Sequence, residues 1–200
     1  MTTSYPYQHP RPARPSRKLV AILLVLVAIL LVLVGIFGWK QYDYRFGSAI
    51  ARSGAVNVPT GTSFGELSRM LVDSGYVRNG RKWMSYARAF DRDTVRPGHY
   101  ALQKGETYRA ALSAFSFGRQ TPVRLTFNNI RTMDRLAGVV AKYIEADSAT
   151  ILQTLSDPAV IAETGLTRAT FPSLFIPNTY EVYWTMTPRE FVTRMQKEHD

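Results

Sequence analysis

Hydrophobic residues are distributed very differently before and after residue 40 of the chain. Residues 19–39, LVAILLVLVAILLVLVGIFGW, contain no charged side chain, and a helix needs about 20 apolar residues to cross a bilayer. A cleavable signal peptide is the alternative interpretation, but its apolar region is usually about 7–15 residues long and ends at small residues. Here the run is longer and is followed by Lys40-Gln41-Tyr42. The pattern therefore predicts an uncleaved transmembrane helix over residues 19–39.

The residues on either side of this segment predict its orientation. Residues 1–18 have no acidic side chain but include the basic residues Arg11, Arg14, Arg17 and Lys18. Basic flanks stay in the cytoplasm, so we expect the chain after about residue 40 to lie outside the cytoplasmic membrane. Residues 1–18 are also rich in proline and polar groups, which predicts a disordered tail. Trp39, Tyr42 and Tyr44 suit the outer interfacial belt.

After residue 54, three segments share one layout, in which a strand-like run and a turn lead to a hydroxyl residue that opens an amphipathic helix. The expected caps are Ser63, Thr107 and Thr132, because a hydroxyl oxygen can accept a hydrogen bond from the first helical turn. Ser63 and Glu66 also have the S-x-x-E spacing of a capping box. Further helices are predicted within residues 78–93, at 148–156, at 157–164 and from Thr187-Pro188 onward, and a strand in VRPGHYAL. These elements predict an α+β fold.

Charge and residue types narrow the candidate chemistry. The net charge is +10, and for a domain outside the membrane this favours attraction to anionic lipid or cell-wall polymer over nucleic acid. The chain has no cysteine, which excludes disulfides, thiolate nucleophiles and cysteine-bound zinc. His9, His99 and His199 are far apart in sequence and form no metal-binding motif. We therefore predict no metal site, no cofactor and no nucleic-acid partner.

An unusual aromatic stretch, FPSLFIPNTYEVYW, occupies residues 171–184. We expect Phe175 and Ile176 to anchor it in the core, and the chain to turn after Pro177 through Asn178-Thr179. Aromatic rings beside a carboxylate and an amide suit a sugar cleft, since pyranose faces stack on rings and hydroxyls need polar partners. The candidate substrate-binding residues are Asn178, Tyr180 and Glu181. The alternative is that Glu181 is a solvated strand charge and that the rings pack in the core: Tyr180, Tyr183 and Trp184.

The order of these segments resembles the MltG-type (YceG-like) endolytic murein transglycosylases of bacteria. The resemblance covers residues 19–200 and rests on VNVPTGTSFGELSRMLVDSGYVRN, VRPGHYAL, FSFGRQ, VRLTFNNIRTMDRLAGVVA and FIPNTYEVYW, in that order. It implies that a linker at residues 40–54 follows the membrane helix. A small LysM-like α+β glycan-binding module at residues 55–120 and the first part of an α+β catalytic domain at residues 121–200 then complete the chain.

The resemblance also implies where the catalytic acid lies. The family motif of aliphatic run, Pro, Asp or Asn, Thr and Tyr is matched by Pro177–Tyr180, and the family's catalytic glutamate follows on a later helix with a Ser-Ile-Val-Glu-Lys-Glu-like sequence. Nothing similar occurs in these 200 residues. We therefore expect that no catalytic residue is present, that the glutamate lies C-terminal to Asp200, and that the chain is the N-terminal part of a longer enzyme. Glu-Gly pairs of many relatives are replaced here by Pro172-Ser173 and Asn128-Asn129.

The function implied is that of a single-pass, membrane-anchored lytic transglycosylase, a lyase that cleaves nascent peptidoglycan strands and leaves 1,6-anhydromuramoyl ends. Its expected partners are glycan strands, the cytoplasmic membrane and cell-wall synthases, and the 200-residue chain is expected to be inactive alone. Two alternatives remain open. One is a non-catalytic, membrane-anchored glycan-binding or scaffold protein of cell-wall assembly. The other is an anchored assembly protein that binds division proteins.

Overall fold

The computed structural model describes residues 17–128 and 130–199 and divides the chain into two compact units, Met1–Tyr42 and Asp43–Asp200. Helix α1 runs from Arg17 to Phe46 and is long and apolar enough to cross a membrane. All its side chains over residues 17–39 are exposed, as expected for a helix whose surroundings would be lipid. The predicted disordered tail lies outside the described residues, except that Arg17 and Lys18 are helical.

The second unit contains two hydrophobic cores. The first cluster, as we call the elements around the first core, is built from β1 (Gly54–Val58), α2 (Phe64–Asp73), α3 (Gly80–Ala89), β2 (Gly98–Leu102) and α4 (Tyr108–Phe117). Strands β1 and β2 pair antiparallel, with Val56 opposite Tyr100. The strand alternation buries one face of this two-stranded sheet against the helices, because successive residues of a strand point to opposite faces.

The second cluster surrounds the other core and follows the same scheme over a longer stretch. Its elements are β3 (Val123–Phe127), α5 (Met133–Val140), α6 (Ser148–Ser156), α7 (Pro158–Glu163), a 3-10 turn (Phe171–Leu174), β4 (Asn178–Val182) and α8 (Pro188–His199). Strands β3 and β4 pair antiparallel, although α5, α6 and α7 lie between them in the sequence. The molecule is therefore a mixed α+β protein with one long apolar N-terminal helix, as the pattern predicts.

The predicted helix starts are confirmed in detail. Ser63 and Glu66 form a complete capping box at the start of α2. The Thr107 and Thr132 side chains accept hydrogen bonds from the first turns of α4 and α5. Gly118 ends α4 with φ +67°, a left-handed conformation that a residue with a Cβ adopts only with strain. Local capping chemistry thus decides these boundaries.

Several local expectations were wrong. Tyr44 does not belong to an exposed belt: it is buried and its ring stacks on Phe90 with centroids 3.8 Å apart. Ile176 is 41% exposed, so only Phe175 of that pair anchors in the core. Asn178 and Thr179 form no turn but begin β4, and the chain bends one residue earlier. The linker at residues 40–54 stays a prediction; within it, residues 40–46 are helical and Ala49 and Ile50 are buried.

Candidate functional site

The β3–β4 sheet places the three predicted substrate-binding residues on different faces. Tyr180 lies opposite Leu125 on the buried face, and Asn178 shares that face but is exposed at the strand start. Glu181 lies on the opposite, solvent-facing side, in register with Arg124. A one-residue offset along a strand reverses the face. The structure therefore brings Asn178 and Tyr180 together but separates both from Glu181.

Tyr180 is held as a packing residue. It is 5% exposed, and its ring stacks on Phe127 with centroids 5.4 Å apart. Its hydroxyl donates a 2.6 Å hydrogen bond to the Ile176 carbonyl oxygen, which closes the bend before β4. Burial raises the pKa of this phenol above its ordinary value of 10.0. Tyr180 thereby fixes the path of the chain on either side of Pro177, while its substrate contact stays a prediction.

Asn178 and Glu181 are accessible side chains. The Asn178 carbonyl oxygen Oδ1 accepts a 2.7 Å hydrogen bond from the Thr179 backbone N–H. On the other face, the hydroxyls of Thr126 and Thr179 are hydrogen-bonded across the strands at 2.8 Å, beside the Arg124–Glu181 pair in register. This solvent-facing side thus carries hydroxyl, carboxylate and guanidinium groups. Such a set can hydrogen-bond a polyhydroxylated ligand.

A cavity of about 440 Å³ begins directly after β4. Its walls come from the end of the aromatic stretch and from one face of α8: Tyr183, Thr185, Met186, Glu190, Thr193, Arg194 and Lys197. Tyr183 is 51% exposed and is the aromatic surface of the cavity. We call this cavity the α8 cavity. An aromatic ring beside hydroxyls and charged groups is a suitable arrangement for a sugar ring with its polar substituents.

The sequence reasoning missed the α8 side of this cavity. Glu190, Thr193, Arg194 and Lys197 occupy positions i, i+3, i+4 and i+7, which places them on one helix face. That spacing was available as a signal, since the buried residues Phe191, Val192 and Met195 define the opposite face. What the spacing could not show is that Tyr183 lies across from this polar face.

A second groove, of about 550 Å³, lies at the loop between β1 and α2. It is lined by Pro59, Thr60, Gly61, Thr62, Glu66, Arg69, Met70 and Asp73. Gly61 has φ +83°, so the loop needs a residue without a Cβ at that point. We call it the β1–α2 groove.

Glu145 connects this groove to the aromatic stretch. Its two carboxylate oxygens accept hydrogen bonds of 2.6 Å from the backbone N–H and the hydroxyl of Thr60. The Glu145 backbone N–H in turn donates a 2.8 Å bond to the Trp184 carbonyl oxygen. A further bond of 3.0 Å runs from the Gln120 amide nitrogen to the Thr185 hydroxyl. Glu145 thus links the loop of the first cluster to the edge of the α8 cavity through its carboxylate and its backbone N–H, and Gln120 adds a second link.

Two other predicted features can be placed. Pro172 and Ser173, which replace a Glu-Gly pair of many relatives, are exposed in the 3-10 turn, where the Ser173 hydroxyl donates to the Thr170 carbonyl oxygen. Asn128 is exposed after β3, and Asn129 lies outside the described residues. Within residues 17–128 and 130–199, no three His, Cys, Asp or Glu side chains are grouped so that they could hold a metal ion.

Comparison with known proteins gives the family. The crystal structure of a yceG-like protein from Listeria monocytogenes is similar over 74% of this chain and 54% of that one, with 20% identity. The chain therefore spans about half the length of that protein, and the TM-score of 0.38 is too low to define the fold. No curated protein matches the chain. The sequence model of the YceG-like family matches residues 56–200, which is most of the chain. The protein belongs to the YceG-like family.

Proposed function

We propose that this protein is a membrane-anchored endolytic transglycosylase of peptidoglycan, in which the described residues bind the glycan strand. The observation that carries the proposal is the family match over residues 56–200, preceded by a helix able to cross a membrane. Membership in this family is generally associated with transglycosylase chemistry. In our proposal, residues 55–120 form a LysM-like glycan-binding module and residues 121–200 begin the catalytic domain.

The proposed reaction needs one carboxylic acid. The acid first protonates the leaving glycosidic oxygen and then, as a base, removes a proton from the muramoyl 6-hydroxyl that attacks C1. Hydrolytic glycosidases use a second carboxylate to activate water or to form a covalent intermediate, and the intramolecular attack replaces both. The resemblance implies that this acid follows Asp200, so the proposed role of the described residues is to hold the strand in position.

Three features of the described residues support strand binding. The α8 cavity combines the exposed ring of Tyr183 with hydroxyl and cationic groups. The β1–α2 groove offers hydroxyl groups on a loop. Glu145 ties this loop to the chain at Trp184, so the two surfaces are structurally connected. A glycan strand is long enough to contact both.

Cleavage is tested by comparing the 200-residue chain with the whole product of its gene on purified glycan strands, with mass spectrometry of the released muropeptides. We expect 1,6-anhydromuramoyl ends from the whole product and none from the 200 residues. In the whole product, Asn178→Ala should lower cleavage with a nearly unchanged melting temperature. Anhydro products from the 200-residue chain would show that an acid within it, Glu181 first, does the chemistry.

A non-catalytic glycan-binding scaffold is the second candidate. It is favoured by the β1–α2 groove, which is lined entirely by residues 59–73 and needs no catalytic domain. The two candidates make different predictions for the whole gene product. Sedimentation with peptidoglycan in moderate salt, together with an absence of anhydro ends, would establish the scaffold. Loss of all binding in moderate salt would instead indicate nonspecific charge attraction, since salt screens exposed charges.

The proposed location places residues after about 40 outside the cytoplasmic membrane, where glycan strands and cell-wall synthases are accessible partners. Alkaline phosphatase, which is active only after export, can be fused after Asp200. We expect an active fusion because of the basic residues before the helix. An inactive phosphatase fusion together with an active cytoplasmic reporter would reject this orientation.

A further inference from the structure

A third cavity, of about 280 Å³, begins two residues after the end of α1. Its lining starts at Ser48, whereas the helix ends at Phe46. The lining residues are Ser48, Ala49, Ile50, Ala51, Arg78, Asn79, Lys104, Gly105 and Tyr108. The path along the chain from Trp39, where the apolar run ends, to Ser48 is short. Seven helical residues rise about 10 Å and two more span about 7 Å, so the cavity wall begins within about 20 Å of the run.

The charged groups at this cavity are cations. Arg78 and Lys104 line it, and no carboxylate does. In the described part of the chain, neither side chain has a hydrogen bond or an ion pair. Two other basic residues of the first cluster are engaged: Lys82 forms a 2.8 Å salt bridge with Asp43, and the Arg52 guanidinium lies 4.3 Å from the centroid of the Tyr76 ring. We call this cavity the cationic pocket.

The wall of the cationic pocket is held by backbone hydrogen bonds. The N–H groups of Ala49 and Ile50 donate to the Glu106 carbonyl oxygen at 2.8 and 3.2 Å. The Gly105 N–H donates to the Ile50 carbonyl oxygen at 2.9 Å, and Ile50 is also bridged to Val77. Because these backbone groups already bond one another, the wall is ordered without a ligand. The groups available to a ligand are therefore side-chain donors.

A third side-chain donor lies beside the two cations. The Asn79 carbonyl oxygen Oδ1 accepts a 2.9 Å hydrogen bond from the Lys82 N–H and so caps α3. That bond occupies the oxygen of the amide and orients the side chain, whose NH₂ group can still donate. A guanidinium, an ammonium and an amide together provide donors and no carboxylate acceptor. This combination matches the oxygens of a phosphate group, which Arg can bind through two parallel bonds.

We propose that the cationic pocket binds the phosphate of an anionic phospholipid headgroup at the membrane surface. The short chain path from the end of the apolar run to the pocket favours a membrane lipid over a free anion, because lipid phosphates are concentrated just outside the hydrocarbon layer. The inference uses the membrane anchorage proposed above and goes beyond the glycan chemistry. Its test measures lipid binding alone, so it can fail or succeed whatever the outcome of the cleavage assay.

The experiment is native mass spectrometry of the full chain in a neutral detergent, titrated with dioleoyl phosphatidylglycerol or dioleoyl phosphatidylcholine. We expect tighter binding of the first phosphatidylglycerol molecule. Arg78→Gln and Lys104→Gln should each raise its Kd about fivefold, the effect of one basic residue near an anionic surface, and the double variant about twenty-fivefold. Binding of phosphatidylcholine should change little.

Arg88→Gln is the matched control, because Arg88 is an exposed cation in the last turn of α3 and does not line the pocket. It removes the same charge and should leave the Kd unchanged. Equal weakening by Arg88→Gln would overturn the proposal in favour of diffuse attraction. Competition by inorganic phosphate at concentrations similar to those of the lipid would overturn the lipid assignment. Melting curves identify a variant that fails to fold, and the other single variant then decides the test.

Discussion

The two hydrophobic cores of the second unit share a plan but use different side chains. In both, two strands pair antiparallel, and helices lie between these strands in the sequence. Among the described residues, the first core contains five buried tyrosines, and the hydroxyls of several are bonded: Tyr76 to Ala55, Tyr86 to Asp43 and Tyr100 to Arg96. Over the same described residues, the second core has one buried tyrosine, Tyr180, and its other buried aromatic residues are phenylalanines.

This difference affects how each core can fix the backbone around it. A buried tyrosine packs its ring in the core while its hydroxyl holds a nearby loop, so it can order backbone that lacks regular structure. In the first cluster, the cationic pocket is lined largely by residues outside helices and strands, and the β1–α2 groove is lined half by a loop and half by α2. In the second cluster, one wall of the α8 cavity is the polar face of α8, whose opposite face packs in the second core through Phe191, Val192 and Met195.

The largest expected effects test whether both cores are needed for stability. Trp83 and Phe191 are fully buried, one in each core. Trp83→Ala and Phe191→Ala should each lower the free energy of unfolding by about 3–5 kcal/mol, because each leaves a large cavity. Urea unfolding followed by far-UV circular dichroism measures this. Phe117→Ala is the control, since Phe117 is 61% exposed and its removal should change stability by less than about 0.5 kcal/mol. If Trp83→Ala or Phe191→Ala changes the free energy of unfolding as little as Phe117→Ala does, the core that contains that residue is not needed for stability.

The tyrosine hydroxyls offer a matched pair across the two clusters. Tyr100 and Tyr180 each donate to the carbonyl oxygen of the residue four positions earlier, at 2.7 and 2.6 Å. Tyr100→Phe and Tyr180→Phe should therefore each cost about 0.5–1.5 kcal/mol of stability by thermal or urea unfolding. If Tyr180 only packs, Tyr180→Phe should leave sedimentation with peptidoglycan unchanged. A loss of binding without a loss of stability would show that its hydroxyl contacts the glycan.

Removing the connection between the clusters should lower stability less than the core substitutions do, and it should measurably weaken binding to peptidoglycan. Glu145→Ala removes the two bonds to Thr60 and should cost roughly 0.5–1 kcal/mol, because the pair is exposed to solvent. We also expect weaker sedimentation with peptidoglycan, since the β1–α2 groove loses its link to the α8 cavity.

Glu163→Ala provides the matched control for the connection. Like Glu145, Glu163 carries an exposed carboxylate that bonds a distant side chain. Its partner is Arg189, and both residues belong to the second cluster, so this pair does not connect the two clusters. Glu163→Ala should have a similar small effect on stability and none on glycan binding. If Glu145→Ala binds peptidoglycan as well as Glu163→Ala and the unmodified chain do, the β1–α2 groove and the α8 cavity work independently.

The smallest predicted effect is a change in the pH dependence of stability. Hydrogen bonds from the Ser63 backbone and hydroxyl lower the pKa of Glu66 below its ordinary value of 4.5. A carboxyl with a lowered folded pKa stabilises the fold above its unfolded pKa and loses that contribution as the pH falls through the folded pKa. Glu66→Gln should therefore flatten the decline of stability below about pH 4.5. A decline identical to that of the unmodified chain would indicate that the capping charge contributes nothing.

Much of the local structure could be read from the residues. Ser63, Thr107 and Thr132 each mark a helix start because capping depends only on a side chain and the next three backbone groups. The long apolar run predicts α1 for a similar reason: a charge-free run of this length would not stay exposed in water. Interactions that involve neighbours in sequence leave a pattern in the sequence.

The tertiary structure decided the rest. Tyr44 looked like an interfacial residue, but Phe90 covers it, and nothing near Tyr44 in sequence indicates that partner. The sequence named Asn178, Tyr180 and Glu181 as candidates for one sugar cleft, whereas the register with β3 puts Glu181 on the other face of the sheet. Likewise, Tyr183 and the polar face of α8, or Thr60 and Glu145, meet only through folding. Contacts between distant residues depend on the packing of whole elements, and for that reason composition and spacing alone do not determine them.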